Sequence, residues 1–129
     1  MTKSIDLVGF GEPLMEFSAV TRQSEALYLP GHGGDTSNAT IAAARQGAKT
    51  AYFTFMGDDA FGRDFLALWD QEGVDRSAVR CPEGTRSGIY FISHGPNGHE
   101  FSYFRQGSAA SLVTPQDVPE PLIANAKIL

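Results

Sequence analysis

Residues 33–47 read Gly-Gly-Asp-Thr-Ser-Asn-Ala-Thr-Ile-Ala-Ala-Ala-Arg-Gln-Gly, a glycine pair followed by a run of small residues that a further glycine closes. This run predicts a helix that Asp35 or Thr36 caps and that ends near Gln46, because glycine commonly follows the last helical residue. The alanines of the run allow the helix to approach a neighbouring main chain closely. The leading glycines also let a ligand reach the unpaired N–H groups at the start of the helix. The stretch therefore predicts both a helix and a place where a polar ligand can bind.

Strands are predicted on either side of this helix. Compact apolar runs cover residues 5–10 and 50–56, and runs of this length between turn residues are typical of buried strands. A second helix, with an acidic cap in the turn at 57–59, follows and ends at Gly73. Strands that alternate with helices indicate a parallel sheet with crossover helices, so the fold class is α/β. Residues 127–129 are typical of the beginning of another strand, which suggests that the chain is the leading part of a longer protein.

Two other segments have the pattern of antiparallel hairpins. Residues 14–20 and 27–29 flank a polar turn, and the aromatic-rich segments 87–94 and 100–106 flank Gly-Pro-Asn-Gly at 95–98. The second pattern is a strong hairpin signal. We expect the two hairpins to pair with each other.

The second hairpin carries an aromatic face. Phe101, Tyr103 and Arg105 share one side of their strand by the two-residue period, and Tyr90 meets them from the neighbouring strand. Such a face can stack on a sugar ring and bind a carboxylate through the guanidinium. The alternative is an ordinary half-buried sheet with a solvated arginine.

Acidic and amide side chains lie near the same elements. Asp35 and Asn38 are one helical turn apart and can together hold vicinal hydroxyls of a polyol; alternatively, Asp35 only caps the helix. Glu12 and Glu16 follow the first strand and can face the same pocket, although an exposed position is the default for glutamate.

The composition excludes several classes of protein. With 129 residues, 42% of them hydrophobic, the chain suits one domain with a core. The formal charge of −5, the isoelectric point near 5.0 and the lack of any Lys or Arg block argue against a nucleic-acid partner. Cys81 stands alone and the three His are scattered, so no metal site is predicted and a cytoplasmic location is expected. No apolar run approaches the roughly 18 residues of a membrane helix, so no membrane partner is expected.

Several motifs together resemble one known family. Residues 33–47 and, nine residues on, Gly-Asp-Asp-Ala-Phe-Gly at 57–62 resemble the N-terminal signature of the ribokinase-like (PfkB) carbohydrate kinases. Glu-Gly-Val-Asp at 72–75 is also typical of that family. Within it, Gly-Glu-Pro-Leu-Met-Glu-Phe at 11–17 and Tyr-Phe-Arg-Gln-Gly-Ser-Ala-Ala-Ser at 103–111 are most similar to 2-keto-3-deoxygluconate kinases.

The resemblance implies a fold and an activity. The fold is a ribokinase-like three-layer α/β sandwich with a small antiparallel β-sheet lid at about 12–33 and 86–107, and residues 1–129 are its N-terminal, substrate-side part. The activity is ATP-dependent phosphorylation of a sugar acid in the presence of Mg²⁺, with 2-keto-3-deoxygluconate and its 6-phosphate preferred. The alternatives are a fructokinase or ribokinase that acts on a neutral sugar, and a non-catalytic module for sugar binding or dimerisation.

The resemblance also implies which residues hold the sugar. The candidates are Gly33, Gly34, Asp35 and Asn38 at the helix start, Tyr90, Tyr103 and Arg105 in the lid, and Glu16. Arg105 then has a chemical role, since it binds the substrate carboxylate.

The resemblance also leads to expectations about the catalytic base and about oligomerisation. The family's catalytic base is an Asp in a Gly-Ala-Gly-Asp segment, which residues 1–129 do not contain. We therefore expect the base and the nucleotide-binding part to lie beyond residue 129, and the chain alone not to transfer phosphate. The lid is expected to support a homodimer or a higher homo-oligomer.

Overall fold

Residues 2–129, the part of the chain that this computed structural model describes, form two sheets, three α-helices and two short 3₁₀ helices at Ala109–Leu112 and Pro115–Asp117. In chain order the elements are β1 (Ile5–Phe10), β2 (Leu14–Arg22), β3 (Glu25–Gly33), α1 (Asp35–Arg45), β4 (Thr50–Phe53), α2 (Ala60–Gln71), β5 (Ile89–Gly95), β6 (Gly98–Phe104), α3 (Glu120–Ala124) and β7 (Ala126–Ile128). Among these residues, no helix is both long and apolar enough to cross a bilayer.

The base sheet consists of three parallel strands with β1 in the centre. Strand β4 pairs with one edge of β1 and β7 with the other, so the strand predicted at the end of the chain is confirmed. Helix α1 lies so close to β1 that a Cβ atom on Gly9 would fall 2.0 Å from the hydroxyl oxygen of Thr40. The small residues of α1 permit this approach, as the sequence predicted.

The main core lies between α1, β4 and α2. Tyr52, Phe65 and Trp69 are fully buried there, and the Tyr52 and Trp69 rings stack with centroids 5.0 Å apart. Burying side chains of this size stabilises the fold by roughly 1.5–3 kcal/mol each. The indole N–H of Trp69 donates to the hydroxyl oxygen of Ser37 at 3.0 Å, so this buried N–H is paired.

The two long helices begin differently. Asp59 caps α2 as predicted, since its carboxylate accepts the Gly62 N–H at 2.8 Å. The prediction that Asp35 or Thr36 caps α1 is wrong: Gly34 is the N-cap, with a φ of 103° and no side-chain cap. Asp35 lies in the first turn, where its negative charge interacts favourably with the positive end of the helix dipole. Its side chain is thereby free for other contacts.

The second sheet is the lid, a four-stranded sheet in the order β3-β2-β5-β6. Both hairpins are antiparallel, but β2 and β5 pair in parallel, so the expected antiparallel lid is mixed at its centre. The reason is that both strands start from the base. Strand β2 begins four residues after β1 ends, and β5 follows a segment tied to the base by the bond from the Gly57 N–H to the Ser87 hydroxyl, 3.0 Å. Both therefore run outward in the same direction.

Candidate functional site

A cavity of about 630 Å³ lies between the lid and the start of α1. Its lining residues are Glu12, Leu14, Gly34, Asp35, Tyr90, Phe101, Tyr103 and Arg105. This volume is within the range of about 300–1,000 Å³ that small-molecule sites occupy. The glycine at the helix start and the arginine at the end of the aromatic strand, which are 71 positions apart in the sequence, thus face one space.

The lid wall of the cavity is aromatic. Tyr90 and Tyr103 are direct partners across β5 and β6, and their rings stack with centroids 5.5 Å apart. Phe101 extends the wall, with its ring centroid 6.2 Å from that of Tyr90. Phe101 and Tyr103 are exposed. Exposed aromatic rings beside a cavity offer a stacking surface for a ligand with an apolar face.

Glu16 holds the Tyr90 side chain in place through a hydrogen bond. Glu16 is the β2 partner of Tyr90, and its carboxylate accepts a hydrogen bond from the Tyr90 hydroxyl. Burial raises the pKa of Tyr90, and the hydrogen bond to Glu16 raises it further, so the phenol stays protonated. Glu16 does not line the cavity. The structure therefore gives this residue a place beneath the tyrosine rather than one in the cavity itself.

The two glycines before α1 differ in their surroundings. Gly33 is buried under Tyr90, and a Cβ atom on it would lie 2.5 Å from the Tyr90 hydroxyl oxygen. Gly34 lines the cavity, and a Cβ atom there would lie 2.8 Å from the main-chain oxygen of Glu12. Its positive φ of 103° adds a second reason for glycine. Gly33 thus leaves room for the Tyr90 side chain, whereas Gly34 exposes its main-chain atoms to the cavity.

Asp35 and Asn38 are not brought together. Asp35 is exposed and lines the cavity, whereas Asn38 lines a separate hollow of about 490 Å³ beside His32 and Arg45. Positions three apart on a helix lie only about 60° apart around the axis and about 4.5 Å apart along it. The separation therefore comes from the surroundings, since His32 of β3 and Leu68 of α2 line the hollow beside Asn38. A joint grip of this pair on one ligand, which the sequence suggested, is not seen in this structure.

Arg105 lies at the mouth of the cavity, just after β6. Its Nε donates to Oε1 of Glu12, and the hydroxyl of Ser108 donates to the other oxygen of the same carboxylate. The Arg105 side chain is 54% exposed and that of Glu12 only 11%. Sequence reasoning placed Glu12 near the pocket but missed Ser108. The sequence signal is Gly107, because a glycine between Arg105 and Ser108 is typical of a tight turn. In the structure this turn is closed by the bond from the Ser108 N–H to the main-chain oxygen of Arg105, 3.0 Å.

A second cavity of about 670 Å³ adjoins the first. Tyr103 and Arg105 line both, and Asp59 and Ser87 lie in the second. Although burial alone would raise the pKa of Asp59, hydrogen bonds from Ser87 and Gly62 lower it below its usual value. These bonds engage both carboxylate oxygens, so the role of Asp59 in this structure is to cap α2 and to hold Ser87. The first cavity holds five of the eight predicted site residues and is the candidate binding site.

Comparison with known sequences identifies the family. The sequence model of the pfkB family carbohydrate kinases matches residues 3–129. The chain belongs to this family. The resemblance drawn from the motifs at 33–47 and 57–62 is thereby confirmed.

Individual PfkB relatives fall into more than one substrate group. The chain is 38% identical over 128 residues to the 2-dehydro-3-deoxygluconokinase of Thermoproteus tenax, an alignment that covers 95% of this chain and 39% of that protein. It is 32% identical over 127 residues to the probable fructokinase-3 of Arabidopsis thaliana, with 95% and 37% covered. The chain thus spans about two fifths of the length of these curated relatives.

A solved PfkB structure has the same fold. The PfkB protein from Polaromonas sp. JS666 superposes with a TM-score of 0.88 at 29% identity, covering 97% of this chain and 44% of that one. The predicted ribokinase-like α/β fold is thereby confirmed.

Proposed function

We propose that this PfkB chain is the N-terminal, substrate-side part of an ATP-dependent kinase for a sugar acid. The observation that carries the proposal is the single cavity shared by Gly34, the Tyr103 ring and the Arg105 guanidinium. A guanidinium beside a stacking surface suits a ligand that has both a carbon chain and a carboxylate. The protein has a net charge of −5, so attraction of an anion depends on this local cation rather than on the overall charge.

The substrate that we propose is 2-keto-3-deoxygluconate, phosphorylated to its 6-phosphate. Arg105 binds the carboxylate, Tyr90 and Tyr103 pack against the carbon chain, and Asp35 accepts hydrogen bonds from hydroxyls. The Gly34 main chain lies at the start of α1, where it can meet the substrate without a side chain between them. The similarity to a 2-dehydro-3-deoxygluconokinase supports this substrate class.

A neutral-sugar kinase is the second candidate. The similarity to a probable fructokinase favours it, and the ion pair with Glu12 gives Arg105 a partner that does not depend on any ligand. A fructokinase or ribokinase would use the same aromatic wall but would not need the arginine.

ATP supplies the phosphoryl group, and Mg²⁺ shields its charge when both are bound. Within residues 2–129, no group of three or more His, Cys, Asp or Glu side chains converges in a way that suits a metal ion. The Gly-Ala-Gly-Asp segment of the family does not occur in residues 1–129, and we assign no residue of this chain to Mg²⁺, to ATP or to the catalytic base. What these residues contribute is binding and orientation of the sugar, and the lid excludes water from the bound substrate.

The homo-oligomer that we propose uses the exposed part of the lid. Leu27 and Leu29 of β3 are 41% and 58% exposed, and they lie on the same face of the sheet as Tyr90. An apolar patch on the surface of a sheet is typical of a contact with another protein surface. We also propose a cytoplasmic location, where the lone Cys81 stays reduced.

The test compares Arg105→Gln with the wild type in the complete protein. We expect the KM for 2-keto-3-deoxygluconate to rise by about tenfold to a hundredfold, because a charge-assisted hydrogen bond is lost. The KM for the methyl ester of the same acid, which lacks the charge, should stay within about threefold. Arg22→Gln, at the far end of the lid, is the control for loss of one positive charge. Equal effects on acid and ester would favour the neutral-sugar candidate.

A further inference from the structure

The carboxylate of Glu12 is fully engaged by two residues that follow the lid. Oε1 accepts a hydrogen bond from Nε of Arg105, and Oε2 accepts one from the hydroxyl of Ser108. Glu12 lies in the turn from β1 to β2, 93 and 96 positions before these partners. One largely buried carboxylate thus connects the segment that leads into the lid with the segment that follows it.

This network has little room to move. Ser108 is buried, and its N–H donates to the main-chain oxygen of Arg105 at 3.0 Å. The next N–H, that of Ala109, donates to the main-chain oxygen of Arg86 at 2.8 Å. On the other side, a Cβ atom on Gly88 would lie 3.3 Å from the Cβ of Arg105 and 3.4 Å from Oε2 of Glu12. The glutamate and the base of the arginine are therefore packed against main chain.

The contact leaves one edge of the guanidinium available. Nε of Arg105 is occupied, whereas neither Nη atom makes a hydrogen bond within residues 2–129. A guanidinium binds a carboxylate through two parallel N–H groups, and with Nε occupied the pair of Nη atoms offers them. A flexible arginine side chain loses rotamer entropy when a ligand holds it in one position. Here Glu12 holds the side chain before any ligand arrives, so less entropy is lost on binding.

We propose that Glu12 and Ser108 are positioning residues that orient the Arg105 guanidinium toward a substrate carboxylate. The proposal rests on the proposed function, since it presumes an acidic substrate. It gives Glu12 a role in choosing that substrate although its negative charge would by itself repel an anion. The orientation of the arginine, rather than the charge of Glu12, is what favours binding.

Three variants of the complete protein separate these effects. Glu12→Ala removes the support for Arg105. Glu12→Gln keeps it, because the amide oxygen accepts from Nε and the amide nitrogen donates to the Ser108 hydroxyl. Ser108→Ala removes only one of the two bonds to the carboxylate and serves as the test if Glu12→Ala does not fold.

We expect Glu12→Ala to raise the KM for 2-keto-3-deoxygluconate by about tenfold with kcat changed by less than about twofold. Glu12→Gln should restore the KM to within about twofold of the wild type, and Ser108→Ala should raise it by about fivefold. The KM for the methyl ester should be the same in all of them. In an Arg105→Gln background, Glu12→Ala should have no further effect, because the residue acts through the arginine.

Two outcomes overturn the proposal and are distinguishable. If Arg105→Gln affects the acid selectively but Glu12→Ala affects acid and ester alike, the positioning role is wrong and the proposed function stands. If Arg105→Gln itself shows no selectivity for the acid, the proposed function fails and this proposal fails with it.

Discussion

The Tyr90 hydroxyl lies where a side chain on Gly33 would have to be, since a Cβ atom there would come within 2.5 Å of the phenolic oxygen. The ring of Tyr90 forms the lid wall of the cavity, and its hydroxyl is held by Glu16. One buried glycine at the end of β3 therefore decides where an aromatic ring on β5 can lie.

Gly33→Ala should weaken sugar binding more than it weakens the fold. The added methyl group meets the end of the Tyr90 side chain rather than main chain, so the ring is displaced into the cavity. We expect the dissociation constant for the sugar, measured by calorimetric titration of the complete protein, to rise by about tenfold.

Gly31→Ala is the matched control for that variant. A Cβ atom on Gly31 would lie 3.6 Å from Oε1 of Glu16, which is an ordinary van der Waals distance. Its affinity for the sugar should equal that of the wild type. A Gly33→Ala protein that binds as tightly as the control would contradict the role given to Tyr90.

Stability should fall at alkaline pH because of Tyr52. Burial raises the pKa of Tyr52 to about 12, although the hydrogen bond with Thr36, 2.7 Å, opposes this shift. An unfolded tyrosine ionises near pH 10, as expected for an unperturbed phenol. The folded state therefore keeps a proton that the unfolded state loses, and the free energy of unfolding decreases as the pH rises from about 10 to about 12.

Urea unfolding at a series of pH values measures this effect. Tyr52→Phe keeps the ring and removes the ionisable group, so its free energy of unfolding should decrease less over the same pH interval. Tyr28→Phe, at an exposed position, controls for the loss of any one tyrosine. Identical slopes for the wild type and Tyr52→Phe would rule out this source of the pH dependence.

The buried pair of Trp69 and Ser37 should matter for stability without touching the cavity. Ser37→Ala leaves the indole N–H of Trp69 without its acceptor in a fully buried position. We expect a loss of about 1–3 kcal/mol in the free energy of unfolding, followed by Trp69 fluorescence. Ser77→Ala, which removes an exposed hydroxyl, should change it by less than about 0.5 kcal/mol. Equal losses in both variants would mean that the indole bond adds nothing.

The proposed homo-oligomer depends on exposed leucines of β3. Leu29→Asp places a negative charge in the exposed apolar patch formed by Leu27 and Leu29, which lie two positions apart on one face of β3. We expect sedimentation velocity to show a shift toward the monomer, because burying an unpaired carboxylate is costly. Glu25→Gln, at the start of the same strand, should leave the distribution unchanged. A monomeric wild type at all concentrations would rule out the lid contact.

Local patterns determined most of the elements. The two-residue period and the Gly-Pro-Asn-Gly turn predicted the β5–β6 hairpin and the face shared by Tyr90 and Tyr103, and the small-residue run predicted α1. The acidic residue before α2 was correctly identified as its cap. These features depend on neighbours within a few positions, which is why the sequence is sufficient to read them.

Tertiary structure decided which side chains meet. The parallel pairing of β2 with β5 follows from both strands leaving the base in one direction, and no local pattern encodes it. Asn38, one helical turn after Asp35, lines a different hollow, which His32 of β3 and Leu68 of α2 also line. The bond from Arg105 to Glu12 spans 93 positions. Contacts between segments so far apart depend on how the two sheets pack, and only the folded chain brings their atoms within hydrogen-bonding distance.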